Sequence, residues 1–194
     1  IIGPFDKIGV VFQPLGLNHF VSDPLAKVIG GEINIDFNYF KDSISPVLDR
    51  TFNTKDESAK VELLDQYFLN QFTEIKDQRL PEIIDYLLQK EEKMSVQELC
   101  DKFFMHRKTM LRLFKKHLNC SPKEYITLIQ FRRAVELYQS ASHKPLLTRL
   151  ALDIDYYDQS DFIHRFTKVT GVNPKKFFSI IEKYGVHATY WTRN

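Results

Sequence analysis

The sequence predicts a mainly α-helical chain in which two helix-turn-helix units, joined by a long linker helix, follow a small α+β segment. Three observations carry that prediction. From residue 81 onward, apolar residues recur at three- and four-residue intervals, the spacing of one helix face. Within that part the pattern repeats. Leu99, Phe103 and Met105 match Leu150, Ile154 and Tyr156 at an offset of 51. One residue inserted in the second turn raises the offset to 52, and Met110, Phe114, Lys116, Asn119, Pro122 and Tyr125 then match Phe162, Phe166, Lys168, Gly171, Pro174 and Phe177. Third, the first 54 residues mix short apolar runs with turn-forming residues.

Taken in order, residues 8–12 read as a short strand, followed by turn signals at Pro14, Gly16 and Asp23-Pro24 and again at Gly30-Gly31. Residues 38–52 carry helical spacing at Phe40, Ile44, Val47, Leu48 and Phe52. Thr54, with Glu57 three residues on, is a plausible cap for a helix over residues 55–74 that would bury Val61, Leu64, Tyr67, Phe68, Gln71 and Phe72. Polar residues 76–79 suggest a boundary. Pro81 then suits the first turn of a helix burying Ile83, Ile84, Leu87 and Leu88. The expected organisation is a partial regulatory or dimerisation domain over residues 1–80, a double helix-turn-helix domain over 81–184 and a tail over 185–194.

Each repeat reads as a short helix, a tight turn and a longer helix, closed at Asn119-Cys120-Ser121-Pro122 or Gly171-Val172-Asn173-Pro174. Asn and Gly are the residues best able to take a left-handed helix cap. Residues 122–140 form the linker helix, with Tyr125, Ile126, Ile129, Ala134, Leu137 and Tyr138 directed inward. In the first unit, Ser95 and Glu98 form a capping box. Beyond it Leu99, Phe103, Met105, Met110 and Phe114 make an apolar stripe, leaving Arg107, Lys108, Arg112, Lys115 and Lys116 on the other side. A helix buried on one face and cationic on the other suits a major groove, where Arg and Lys reach phosphates and guanine edges.

In the second unit the stripe is Leu147, Leu150, Ala151, Ile154, Tyr156, Phe162 and Phe166. Asp158, Gln159, Ser160, Asp161, His164, Arg165, Thr167 and Lys168 remain for the exposed face. Gln can pair with adenine, Ser with several bases, Arg or His with guanine, and Asp161 can accept from cytosine. Asp158 is favoured as the helix cap. Lys115, Lys116, Lys123 and Arg132, placed by spacing, are expected to contact phosphates, together with Arg107 and Lys168.

Charge points the same way. Residues 1–80 carry 8 Lys or Arg against 12 Asp or Glu, net −4, whereas the rest carries 19 against 13, net +6. Residues 107–133 hold eight basic side chains and one acid, Glu124. The basic part is therefore the candidate for a polyanionic partner. With 43% hydrophobic and 27% charged residues among 194, the chain has the means to fold and is not wholly disordered. Apolar runs break far short of the roughly 20 residues that span a bilayer. Ile1-Ile2-Gly3-Pro4 lacks the features of a signal peptide, so the chain is expected to begin inside a longer protein. Cys100 and Cys120 are expected to be free thiols of a reducing compartment.

An enzyme is disfavoured: His19, His106, His117, His143, His164 and His187 are scattered, and no HExxH, GxSxG or phosphate loop occurs. No metal or cofactor is expected. An RNA reader is disfavoured because the aromatics fall on core stripes rather than on a stacking platform. A protein-interaction or effector-sensing module with a weak, non-specific DNA-binding part remains the alternative.

Residues 81–178 resemble the AraC/XylS transcription regulators. The most specific stretch runs from Leu150-Ala151 through Tyr156-Tyr157-Asp158-Gln159-Ser160-Asp161-Phe162 to Phe166, then Gly171-Val172-Asn173-Pro174. The resemblance implies a seven-helix, two-lobed domain whose recognition helices enter successive major grooves of promoter DNA. It implies Lys108, Leu111 and Arg112 as base-reading candidates in the first unit, and Gln159, Ser160, Asp161, His164, Arg165 and Thr167 in the second. Departures from the family pattern are Leu111 for a polar residue, Gln130 and His164 for Arg, and Asp155 and Asn119 for Gly. Phe12-Gln13-Pro14-Leu15-Gly16 resembles, less specifically, the end of a regulatory domain that in this family binds small effectors, dimerises or does both. RNA polymerase is an expected further partner, no membrane is, and the expected location is cytoplasmic, on the nucleoid.

Overall fold

The computed structural model describes residues 8–29, 38–90, 92, 94–154, 156–183 and 190–192. The chain forms two compact units. One holds the described residues up to Pro81 together with Arg112–Asn119, and the other holds Glu82–Leu111 and the described residues from Cys120 on.

In the first unit a 3-10 turn, Gly16–His19, leads to α1 (Leu25–Val28), α2 (Lys41–Asn53) and α3 (Glu57–Leu69). Residues 8–12 are not a strand: a lone apolar run has no ladder partner among the described residues, and Phe12 instead gives its ring to Phe20 and Phe68, at 5.6 and 5.5 Å between centroids. The backbone of the following turn is tight. Leu15 is left-handed at φ 65°, and a Cβ on Gly16 would lie 3.3 Å from that of Phe12, so only glycine fits there without displacement. Val21, Leu25, Phe40 and Tyr67 form the core between these helices, with Ser43 Oγ 2.6 Å from the Tyr67 hydroxyl.

Three details differ from the sequence reading. The cap of α3 is Asp56, whose carboxylate accepts from Ser58 N, while Thr54 ends α2 by donating its hydroxyl to Arg50 O. The helix stops at Leu69 rather than running to residue 74, because Thr73 turns aside to bond His19 O through both its N–H and its hydroxyl. Phe52, Val61 and Phe72 are exposed; Phe72 lies beyond the end of α3, where its ring stacks on that of His19 at 4.6 Å. Gly30-Gly31 lies outside the described residues.

The second half of the helix Arg107–Leu118 belongs to this unit. Its C-terminal carbonyl groups, which lack partners within a helix, meet the amino-terminal segment: Asn18 Nδ2 donates to His117 O at 2.8 Å. Asn119, left-handed at φ 54°, donates its amide to Ile29 O at 3.2 Å. Asn thus serves where the family pattern has Gly, since it tolerates that conformation and its side chain adds a bond.

The rest is built from α4 (Arg79–Gln89), α5 (Val96–Lys102), α6 (Arg107–Leu118), α7 (Pro122–Ser140), α8 (Leu147–Asp153), α9 (Gln159–Thr170) and α10 (Pro174–Ile180). Ile83, Ile84 and Leu87 of α4 are buried as expected, whereas Leu88 is exposed, because it lies off the stripe that those three make. Ala134, Val135, Leu150, Ala151, Ile154, Tyr156, Phe162, Phe166, Phe177 and Phe178 make one core. Leu137, 41% exposed, does not join it; Phe131 and Tyr138 fill that side, Tyr138 stacked on Phe178 at 3.8 Å. After α10 the backbone forms a two-stranded antiparallel ladder, β1 (Ile181–Lys183) with β2 (Tyr190–Thr192), the first at the end of the region read as helix-turn-helix domain and the second in that read as tail.

Candidate nucleic-acid interface

The interface candidates lie on α6 and α9, and the turns that aim these helices are built alike. Helix α5 opens with the expected capping box: Ser95 Oγ accepts from Glu98 N at 3.2 Å, and Glu98 Oε2 accepts from Ser95 N at 2.7 Å. These bonds hold the Glu98 carboxyl below its usual range. It closes with Phe104 N donating to Asp101 O and Met105 N to Cys100 O, the paired bonds of a left-handed C-terminal cap. Phe104 occupies the left-handed position at φ 50° and is 95% exposed. In the second unit Tyr156 N donates to Ala151 O, the equivalent bond at an offset of 51. Asp155, the counterpart of Phe104 in the repeat, lies outside the described residues.

On α6, Met110, Leu113 and Phe114 are buried, so Arg107, Lys108, Leu111, Arg112, Lys115 and Lys116 are left exposed on the opposite side. Arg107 is partly committed, its Nε donating to Gln97 Oε1 at 2.8 Å. Leu111, 43% exposed, puts an apolar side chain between the cations. Such a contact suits a thymine methyl group.

On α9, Phe162 and Phe166 are fully buried, each ring edge-on to the other at 5.4 Å. Asp158 caps the helix as expected, accepting from Asp161 N at 2.7 Å. Ser160, His164 and Lys168 are exposed, while Gln159, Asp161, Arg165 and Thr167 are half-buried. Three of these side chains are already engaged. Gln159 Oε1 accepts the Thr148 hydroxyl at 2.6 Å, and Arg165 Nε donates to Asp161 Oδ1 at 2.7 Å with its guanidinium 6.0 Å from the Tyr156 ring. Burial pushes the Tyr156 hydroxyl up to about 12. Arg149 on α8 pairs with Asp153 at 2.9 Å.

Of the remaining cations, Lys123 is exposed and Arg132 half-buried on α7. Arg133 has another use. It donates to Leu87 O, Leu88 O and Lys90 O at the end of α4, where a cation complements the helix dipole. Sequence reasoning passed over that clamp, and over the capping box Ser121/Glu124 that opens α7, although the Ser-x-x-Glu spacing was its signal. Gln130, 3% exposed, finds no partner for either amide atom among the described residues. It borders a cavity of about 20 Å³ with Leu87, Met94, Ile126 and Ile129.

Comparison with known proteins matches residues 99–179 to the family model of a helix-turn-helix domain. This region is a helix-turn-helix domain. The lactose operon transcription activator of Staphylococcus xylosus is 31% identical over 93 residues, covering 46% of this chain and 33% of that relative. The chain thus spans about a third of the length of the curated relative it matches. Among solved structures, the DNA-binding domain of AdpA, in complex with a target DNA, is 18% identical with a TM-score of 0.47, covering 52% of this chain and 90% of that one. The C-terminal domain of AraT, a response regulator from Geobacillus stearothermophilus, is 20% identical with a TM-score of 0.48, covering 58% and 94%. Among the described residues no helix is long and apolar enough to cross a membrane.

Proposed function

We propose that the chain regulates transcription by placing α6 and α9 in successive major grooves of promoter DNA. The observation that supports this is the doubled unit: two helices, each with one face buried and one presented, joined by a helix of 19 residues. At about 1.5 Å per residue such a helix spans roughly 28 Å, near the roughly 34 Å between equivalent faces of adjacent major grooves. Lys108, Leu111 and Arg112 on α6 and Gln159, Ser160, Asp161, His164, Arg165 and Thr167 on α9 are the proposed base contacts. Arg107, Lys115, Lys116, Lys123, Arg132 and Lys168 are the proposed phosphate contacts. Residues 81–184 are the DNA-binding part in this reading, and residues 1–80 belong to a regulatory domain that binds an effector, dimerises or does both. A footprint of one protomer on a selected site tests it. Protection over about two helical turns is expected, and protection confined to one turn of about 10 base pairs would contradict it.

A further inference from the structure

The first residue of each recognition helix is tied to the preceding helix by one side-chain hydrogen bond, and the two ties stand at equivalent positions of the repeat. Gln97 on α5 and Thr148 on α8 are related by the offset of 51, and Arg107 and Gln159 by the offset of 52 that applies after the turn. Gln97 Oε1 accepts from Arg107 Nε at 2.8 Å; Thr148 Oγ1 donates to Gln159 Oε1 at 2.6 Å. The consequence for recognition differs. In the first unit the tie uses one donor of a guanidinium that has others to give. In the second it takes one lone pair of an amide oxygen and holds that oxygen toward α8. A free Gln side chain turns readily about its last torsion, and its match to adenine needs both atoms at once, Oε1 accepting from N6 while Nε2 donates to N7. Because the two amide atoms diverge, anchoring Oε1 on α8 turns Nε2 away from that helix as a donor alone.

We propose that Thr148 is a positioning residue that sets base specificity: it holds Gln159 as a pure donor, so that α9 selects guanine, with its two acceptors O6 and N7, over adenine. This rests on the reading of α9 as a base-contacting helix. Thr148 touches no base in this account and acts only through Gln159.

Sites selected from random DNA by the wild-type chain, T148V, T148S and Q159A separate the possibilities, with thermal unfolding of each variant as the control for folding. The wild type should show guanine at one position of the second half-site. T148V, which keeps the shape and removes the hydroxyl, should move that position toward adenine by on the order of tenfold and leave every other position unchanged. T148S, which keeps the hydroxyl, should restore guanine, and Q159A should erase the preference. If Q159A erases a preference that T148V leaves intact, α9 reads bases but Thr148 does not set the choice, and the proposal falls alone. A profile indifferent to Q159A overturns it together with the base-reading role of Gln159. A uniform loss of affinity in T148V, with the profile preserved, would reduce Thr148 to a structural contact.

Discussion

The two helix-turn-helix units share a backbone plan and differ in what their polar residues do. From Arg107 to Lys116 the first helix carries five basic residues and no acid. Residues 146–170 of the second carry Arg149, Arg165 and Lys168 against Asp153, Asp155, Asp158 and Asp161. There the acids are put to use inside the unit: Asp153 holds Arg149, Asp161 holds Arg165 and Asp158 caps α9. Long-range attraction to phosphates supplies much of the affinity for DNA, so we expect the first unit to anchor and the second to select. Duplication of a unit thus leaves room for its copies to diverge in charge while the apolar stripe stays fixed.

The largest effect should come from the shared stripe. Phe114 and Phe166 are equivalent and fully buried, and truncating a buried Phe to Ala costs about 3–5 kcal/mol. F166A should show this loss in urea unfolding. A loss below about 1.5 kcal/mol, the range of a tolerated apolar swap, would mean that the second unit contributes little to cooperative folding.

Arg112 sharpens the division on the anchoring side. Its replacement by Ala should cost about 1–3 kcal/mol of binding mainly at one preferred base pair. K116Q should instead weaken binding to all sequences and lower the salt slope by about one unit. Equal losses on selected and random DNA for both variants would erase the distinction between reading and anchoring within α6.

A smaller effect is expected at the start of α9. D158A removes the acceptor for Asp161 N and should lower stability by about 1 kcal/mol. Circular dichroism against urea reads this directly, and an unchanged midpoint would mean that the cap adds nothing measurable to stability. Least of all, D161N should change stability by only a few tenths of a kcal/mol, since the Arg165 and Asp161 side chains remain 31% and 26% exposed. On random DNA it should tighten binding at low salt, by freeing Arg165 and removing a negative charge, while on a selected site the loss of the carboxylate proposed to accept from a base should offset that gain. Equal tightening on both would show that the carboxylate contacts no base.

The helices from α4 to α10 were legible because their burial follows helical periodicity: Leu99, Met110, Phe114, Leu150, Phe162 and Phe166 are all fully buried, as their spacing predicts. The candidate site was legible as a set of residue types and positions. What periodicity does not encode is which polar atoms meet. Asp161 and Arg165 stand four apart on α9 and could have been paired from spacing alone, but the bonds from Thr148 to Gln159 and from Arg133 to the end of α4 join different helices. The amino-terminal unit was least legible because short apolar runs fit strand or packed coil equally, and residues 8–12 found ring partners rather than strand partners.

The buried amide of Gln130 leaves the domain with a reserve of heat tolerance it does not use. Enclosing a polar group without partners costs about 1–3 kcal/mol; Gln130 has none among the described residues, and Leu87, Met94, Ile126 and Ile129 line the adjoining cavity together with Lys90, Glu92 and Arg133. A Leu or Met at this position would meet the apolar part of that lining. Since Gln130 is buried and is not itself one of the side chains proposed to meet DNA, a laboratory seeking a sturdier version of this scaffold can begin there and leave its choice of operator alone.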